Sequence, residues 1–120
     1  MKVRRLAAIY FTFQGLMVFA WWAMLFLYPS CRTYFALEPT SETSLMALWL
    51  ADISFLGVGS LAAGWLCFRG HHYAAIVSWF VTGAISYATV YCFAFALMTD
   101  RVRIGVALIF PAMVWDGVFA

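Results

Sequence analysis

Sixty-seven per cent of the 120 residues are apolar, 10% are charged, and the formal net charge is +2. Soluble domains run nearer half apolar and a quarter charged, so this chain cannot build a water-facing surface. Nucleic acid is excluded as a partner, because no basic stripe exists beyond the first five residues.

The length suits one domain, 1–120, of four apolar spans at 6–28, 45–67, 73–97 and 104–120 joined by short loops. The first span follows the basic run KVRR and mimics a secretory leader. Its apolar stretch exceeds the ~7–15 residues of a signal core and lacks a small-x-small cleavage site, so it reads as a retained span that directs insertion. Along it, Ala7, Gln14, Trp21 and Tyr28 recur every seven residues, with Tyr10, Met17 and Met24 three positions further on. That is an a/d seam of the kind that pairs helices. Gln14 lies on the seam, and a carboxamide in lipid needs another helix to satisfy it.

The loop 29–44 holds Arg32 and Glu38 around the apolar run Tyr34–Phe35–Ala36–Leu37, which belongs in the membrane interface. Pro39, Thr40, Ser41 and Glu42 read as a helix start, with Thr40 as cap and Glu42 at the positive end of the dipole. The stretch 45–67 carries a single charge, Asp52, and at about 1.5 Å per residue reaches roughly 34 Å, enough for a bilayer core. At about 100° per residue, Asp52, Leu56, Gly59, Ser60, Ala63 and Cys67 share one face, opposite Leu50, Val58, Leu61 and Trp65. Gly59 with Ala63, and Ser60 with Gly64, are small-xxx-small pairs that admit a close neighbour, so the Asp52 face is expected to pack and the Leu/Trp face to meet lipid.

A turn at 68–72 leads into the third span, whose hydroxyls Ser78, Thr82, Ser86 and Thr89 form one stripe. Such hydroxyls commonly bond their own i−4 carbonyls, yet four on one side mark the side turned to protein or trapped water. Tyr87, Phe80 and Tyr91 lie opposite. The outer turn 99–103 offers Thr99 or Asp100 as a cap. Pro111 should kink the fourth span, where Gly105, Ile109, Ala112 and Asp116 share a face. The absence of a polar tail after Ala120 is read as a fragment's end or an end held by a partner. Lys2, Arg4, Arg5 and Arg69 on one side against Arg32, Arg101 and Arg103 on the other place both termini in the cytoplasm of the inner (plasma) membrane.

Asp52 and Asp116 are the sharpest chemical features, because a carboxylate near the bilayer centre costs about 2.5–3.5 kcal/mol on insertion scales. Counted from the outer end, Asp52 lies at about 10 Å and Asp116 at about 18 Å, too far apart for a shared-proton dyad. Each is read as a structural bond to Ser, Thr, Tyr or Gln14, or else as a proton or cation site. Asp116 is expected near the inner interface, where water lowers its cost. Cys67, His71 and His72 gather soft and imidazole ligands at the inner turn, but adjacent histidines should point apart, and no metal site is expected. Cys31, Cys67 and Cys92 show no CxxC or CxxCH spacing, and no histidine lies within a span. Thiol relays and a buried bis-histidine haem are thereby disfavoured, and no cofactor is expected. The Trp and Tyr residues sit mostly towards span ends, where an interfacial belt accounts for them.

In span count, loop lengths and the stretch YPSCRTYF at 28–35, the chain resembles the small bacterial four-helix membrane proteins of the DoxX-like group. It is similar in length to the small multidrug transporters, but Gln14 stands where their mechanism needs an ionisable Glu. The reading is an all-α integral membrane bundle of four transmembrane helices, lacking a catalytic motif. Its expected role is a non-catalytic accessory or assembly subunit, bound to membrane lipids and either to another integral membrane protein or to itself. A proton-coupled carrier using Asp52 and Asp116 is the alternative, and a lipid- or quinone-binding protein or membrane enzyme the third reading.

Overall fold

The computed structural model describes residues 2–35, 42–98 and 104–120, and every regular element among them is helical. Four long helices make up the body: α1 (Lys2–Leu27), α2 (Leu45–Arg69), α3 (Ala74–Met98) and α4 (Ile104–Phe119). The first three are long and apolar enough to cross a membrane, whereas α4 has 16 residues. Its helix continues through Pro111. The expected cap at Thr40 and the outer turn 99–103 lie outside the described residues.

α1 ends because Pro29 forces Tyr28 out of helical geometry, to φ −125° and ψ 80°. A 3₁₀ turn (Pro29–Cys31) and one α-turn (Arg32–Phe35) fold the chain back on the helix end. There Arg32 Nε donates to the Leu25 carbonyl at 2.8 Å, satisfying one of the acceptors a helix C-terminus leaves open. Its Nη1 pairs with Glu42 Oε1 at 2.9 Å, so Glu42 engages a cation as well as the start of its own helix. At the opposite end, α2 stops at Gly70, whose φ of 67° favours glycine. Gly70 N–H bonds to Cys67 O at 3.2 Å and His71 N–H to Leu66 O at 3.0 Å, which is a Schellman motif. The Arg4 guanidinium lies against Gly70, placing positive charge over the negative end of the α2 dipole.

α1 and α2 run antiparallel in tight contact, α3 packs on α2 and α4, and a smaller contact between α1 and α4 closes the arrangement. The body measures 46 × 29 × 19 Å. Its apolar core, Ala7, Ala8, Phe11, Ala63, Cys67 and Val81, lies towards the Gly70 end. The α1–α2 contact rests on missing side chains. A Cβ on Gly64 would strike Thr12 and come within 3.0 Å of the Ala8 carbonyl, and one on Gly15 would stand 2.9 Å from the Gly57 carbonyl.

This seam departs from the heptad expected on α1. Ala7 and Gln14 are buried, Trp21 is half-buried, and Met17 and Tyr28 are exposed, while Gly15, Trp22 and Leu25 turn inward. A straight helix drifts by about 20° per heptad, so a strict seven-residue repeat leaves the packed face within three heptads. On α2, Leu56, Ser60, Ala63 and Cys67 are buried and Leu50, Val58 and Trp65 exposed. Leu61, expected in lipid, is half-buried because its side chain lies over Gly15. Of the two small-residue pairs, Ser60 with Gly64 makes the close approach to α1; Gly59 is half-buried, and a Cβ there would meet only Val81 Cγ2, at 3.1 Å. Ala112 is half-buried, and the surroundings of Gly105 lie outside the described residues.

Replacing Gly64 by Leu should force α1 and α2 apart at a cost of about 1–3 kcal/mol or more, as overpacking does. Val58→Leu, on the exposed face, should leave the unfolding midpoint in detergent near wild type. Thermal unfolding of the two variants side by side checks the difference.

Candidate functional site

Asp116 is fully buried, with 0% relative exposure. It sits near the end of α4 and is met from α1, whose Tyr10 and Gln14 stand one turn apart on the same face. The Tyr10 ring is held by Phe11 at 5.4 Å and Phe119 at 5.0 Å between centroids. That packing aims the hydroxyl at Asp116 Oδ1, 2.6 Å away, with the Ala112 carbonyl at 3.1 Å. Gln14 Nε2 donates to Asp116 Oδ2 at 3.1 Å and to Ser60 Oγ of α2 at 3.2 Å. From α3, Thr82 Oγ1 lies 2.9 Å from the Ser78 carbonyl and 3.3 Å from the Asp116 carbonyl. Side chains of all four helices therefore meet at this point, with phenol, amide and hydroxyl as the donors. Among the described residues the one ion pair is Arg32 with Glu42, so no cation bonds Asp116. Gln14 Oε1 is buried and meets no hydrogen-bond partner among the described residues. Full burial corrects the expectation that Asp116 would be eased by water at the inner interface.

Asp52 has different surroundings. It is half-buried and begins a π-helical stretch, Asp52–Val58. The acid stands at the rim of the packed face and lines a lateral cavity of ≈ 800 Å³ between α2 and α3. Phe55 and Leu56 line it from α2, Gly83, Tyr87 and Cys92 from α3, and Ile109 from α4. Asp52 is the one charged residue in that lining. Behind it, the buried Trp22 indole N–H makes no hydrogen bond of ordinary geometry among the described residues, although the Asp52 carboxyl is close enough to interact with it.

Of the expected hydroxyl stripe, Ser78, Thr82 and Thr89 are buried and Ser86 half-buried, with Tyr87, Phe80 and Tyr91 exposed. Thr89 bonds its own i−4 carbonyl at 2.7 Å. Ser78 Oγ lies 3.9 Å from Cys67 Sγ. His71 and His72, expected to diverge, stack with ring centroids 4.3 Å apart, because the turn after Gly70 brings both beside Tyr73. Among the described residues, no three His, Cys, Asp or Glu side chains gather as metal ligands would. Of the partners expected for the acids (Ser, Thr, Tyr or Gln14), Asp116 takes Gln14 and a tyrosine that the sequence did not single out, Tyr10; sequence reasoning missed Gly15 with Gly57 as a close contact. The one signal for that contact was spacing, since Ala8 and Gly15, and likewise Gly57 and Gly64, stand seven apart. No protein-family model, curated protein or solved structure matches the chain, and its chemistry is read from these residues alone.

A double-mutant cycle tests the Asp116 cluster. Tyr10→Phe and Asp116→Asn should each lower stability by about 1 kcal/mol, the net worth of such bonds inside a bundle. Made together they should cost less than the sum, since both remove one contact. Additive losses in unfolding free energy would separate the two residues.

Proposed function

We propose that the chain is a four-span integral protein of the inner membrane, with both termini cytoplasmic, serving as a non-catalytic accessory or assembly subunit. The observation that carries this reading is the contrast between its two intramembrane acids. Asp116 is bonded internally to α1 and α3, and through Gln14 to Ser60 of α2, whereas Asp52 lines a lateral cavity flanked by small residues. Gly83, Ala84 and Ala88 of α3 line that cavity, and a Cβ on Gly83 would meet nothing within 4 Å. Small residues beside a polar group are what a second transmembrane helix needs in order to approach and bond.

The long dimension of 46 Å is close to the ~40–45 Å of a bilayer with its interfaces. In α1, α2 and α3 the most apolar windows are only 28%, 17% and 28% buried within the chain, which leaves broad faces for lipid and partner helices. α4 covers about 24 Å, and a helix of that length is accommodated by local thinning and by its neighbours. The contact of Arg4 with Gly70 gathers Lys2, Arg4, Arg5 and Arg69 at one end, while Arg32 at the other is paired with Glu42. That distribution supports a cytoplasmic N-terminus.

Asp52 also favours a second reading, in which the cavity takes a small hydrophobic or cationic compound and couples its passage to protons.

Purification in mild detergent should yield a stoichiometric partner protein or a homo-oligomer, and Gly83→Leu should release it without lowering the unfolding midpoint. A monomer unaffected by Gly83→Leu would count against the subunit reading. Proton flux in vesicles that disappears in Asp52→Asn would establish the carrier instead. For topology, a reporter fused after Ala120 should be active only in the cytoplasm.

A further inference from the structure

A second groove lies on the opposite flank of α2, along its seam with α1, with a volume of ≈ 500 Å³. Ala8, Thr12 and Gly64 line it where the two helices touch most closely. The Thr12 hydroxyl is tied to the Ala8 carbonyl at 2.7 Å, so the groove presents little that hydrogen-bonds. Ile9 and Phe13 of α1 and Trp65 and Phe68 of α2 form its exposed apolar walls.

Both walls end in arginine. Arg5 stands one helical turn before Ile9, and Arg69 one turn after Trp65, with its guanidinium 5.7 Å from the Trp65 ring centroid. Because Arg4 lies against Gly70, the adjacent Arg5 and Arg69 are at the same level of the antiparallel pair. Both are exposed, and among the described residues neither forms an ion pair. The described acids are Glu42, held by Arg32, Asp52, on the other groove, and the buried Asp116.

We infer that this groove holds an acyl chain of an anionic phospholipid whose phosphate is clamped between Arg5 and Arg69. An apolar trough opening to the side, with Arg5 and Arg69 each one helical turn beyond a wall residue, matches a lipid with a negative headgroup in both shape and charge. Its volume lies within the ~300–1,000 Å³ of small-ligand sites. The inference rests on the membrane reading above. Stable insertion into phosphatidylcholine nanodiscs reports that reading separately.

The test compares phosphatidylglycerol with phosphatidylcholine by native mass spectrometry of the full chain released from nanodiscs. Wild type should retain phosphatidylglycerol with at least about tenfold preference, and Arg5→Gln/Arg69→Gln should lose that preference. Lys2→Gln should keep it, and Thr12→Phe, which fills the groove, should lower retention of both lipids. Unfolding midpoints confirm that each variant is folded, and Arg5→Lys/Arg69→Lys, which keeps the charge but loses the planar fork, should show an intermediate preference. Equal retention of the two lipids by wild type, preference surviving in Arg5→Gln/Arg69→Gln, or a second copy of the chain cross-linking through Phe13→Cys in place of lipid would overturn the assignment.

Discussion

A carboxyl group cut off from water must find its hydrogen bonds in the protein, and at Asp116 that requirement ties the helices together. Tyr10 and Gln14 reach it from α1, Gln14 also holds Ser60 of α2, and Thr82 of α3 lies against the Asp116 backbone. α4 packs much less extensively on α1 than α2 does, so these directional bonds specify where α4 sits in a way that apolar side chains sliding over one another do not. A buried polar cluster of this kind is weak evidence for stability in itself; what it fixes is register.

The α1–α2 seam works by the opposite means. Gly15, Gly57 and Gly64 supply no side chain, and the backbones close to distances that a single Cβ would obstruct. In lipid, apolar surface gains little by leaving its solvent, so helices associate through dispersion contacts that grow as backbones approach. The seam and the Asp116 cluster reinforce each other, because Gln14 and Gly15 are adjacent on α1 and face α2 together.

The two acids differ in their surroundings. α4 presents Asp116 to the interior, whereas Asp52 is half-buried at the start of the π-helical stretch Asp52–Val58. π geometry inside α-helices recurs at functional sites, and here it begins at a charged group that shares a cavity with Gly83. The charged ends differ in a comparable way. One is a cluster of basic side chains without an ion pair among the described residues, and the other includes Arg32 locked between the Leu25 carbonyl and Glu42. The groove beneath the basic end and the cavity beside Asp52 thus occupy the two flanks of α2 with opposite charge character.

The sequence by itself determined that the chain is helical and apolar enough for a membrane; of the four spans read from it, three are helices long and apolar enough to cross one, because hydropathy and length are properties of segments taken singly. The buried face of the second half of α2 and the buried hydroxyls of α3 were also legible, since a regular helix converts spacing directly into direction. Where an assumed seven-residue repeat departs from the helix's own period, the sequence misled: heptad spacing on α1 ran off the packed face at Met17 and Tyr28. Tertiary structure alone decided that Tyr10 serves Asp116, 106 residues away, that Gly15 meets Gly57, and that Arg4 lies against Gly70. Each of these depends on how one helix is placed against another, a relation between segments that no segment encodes on its own.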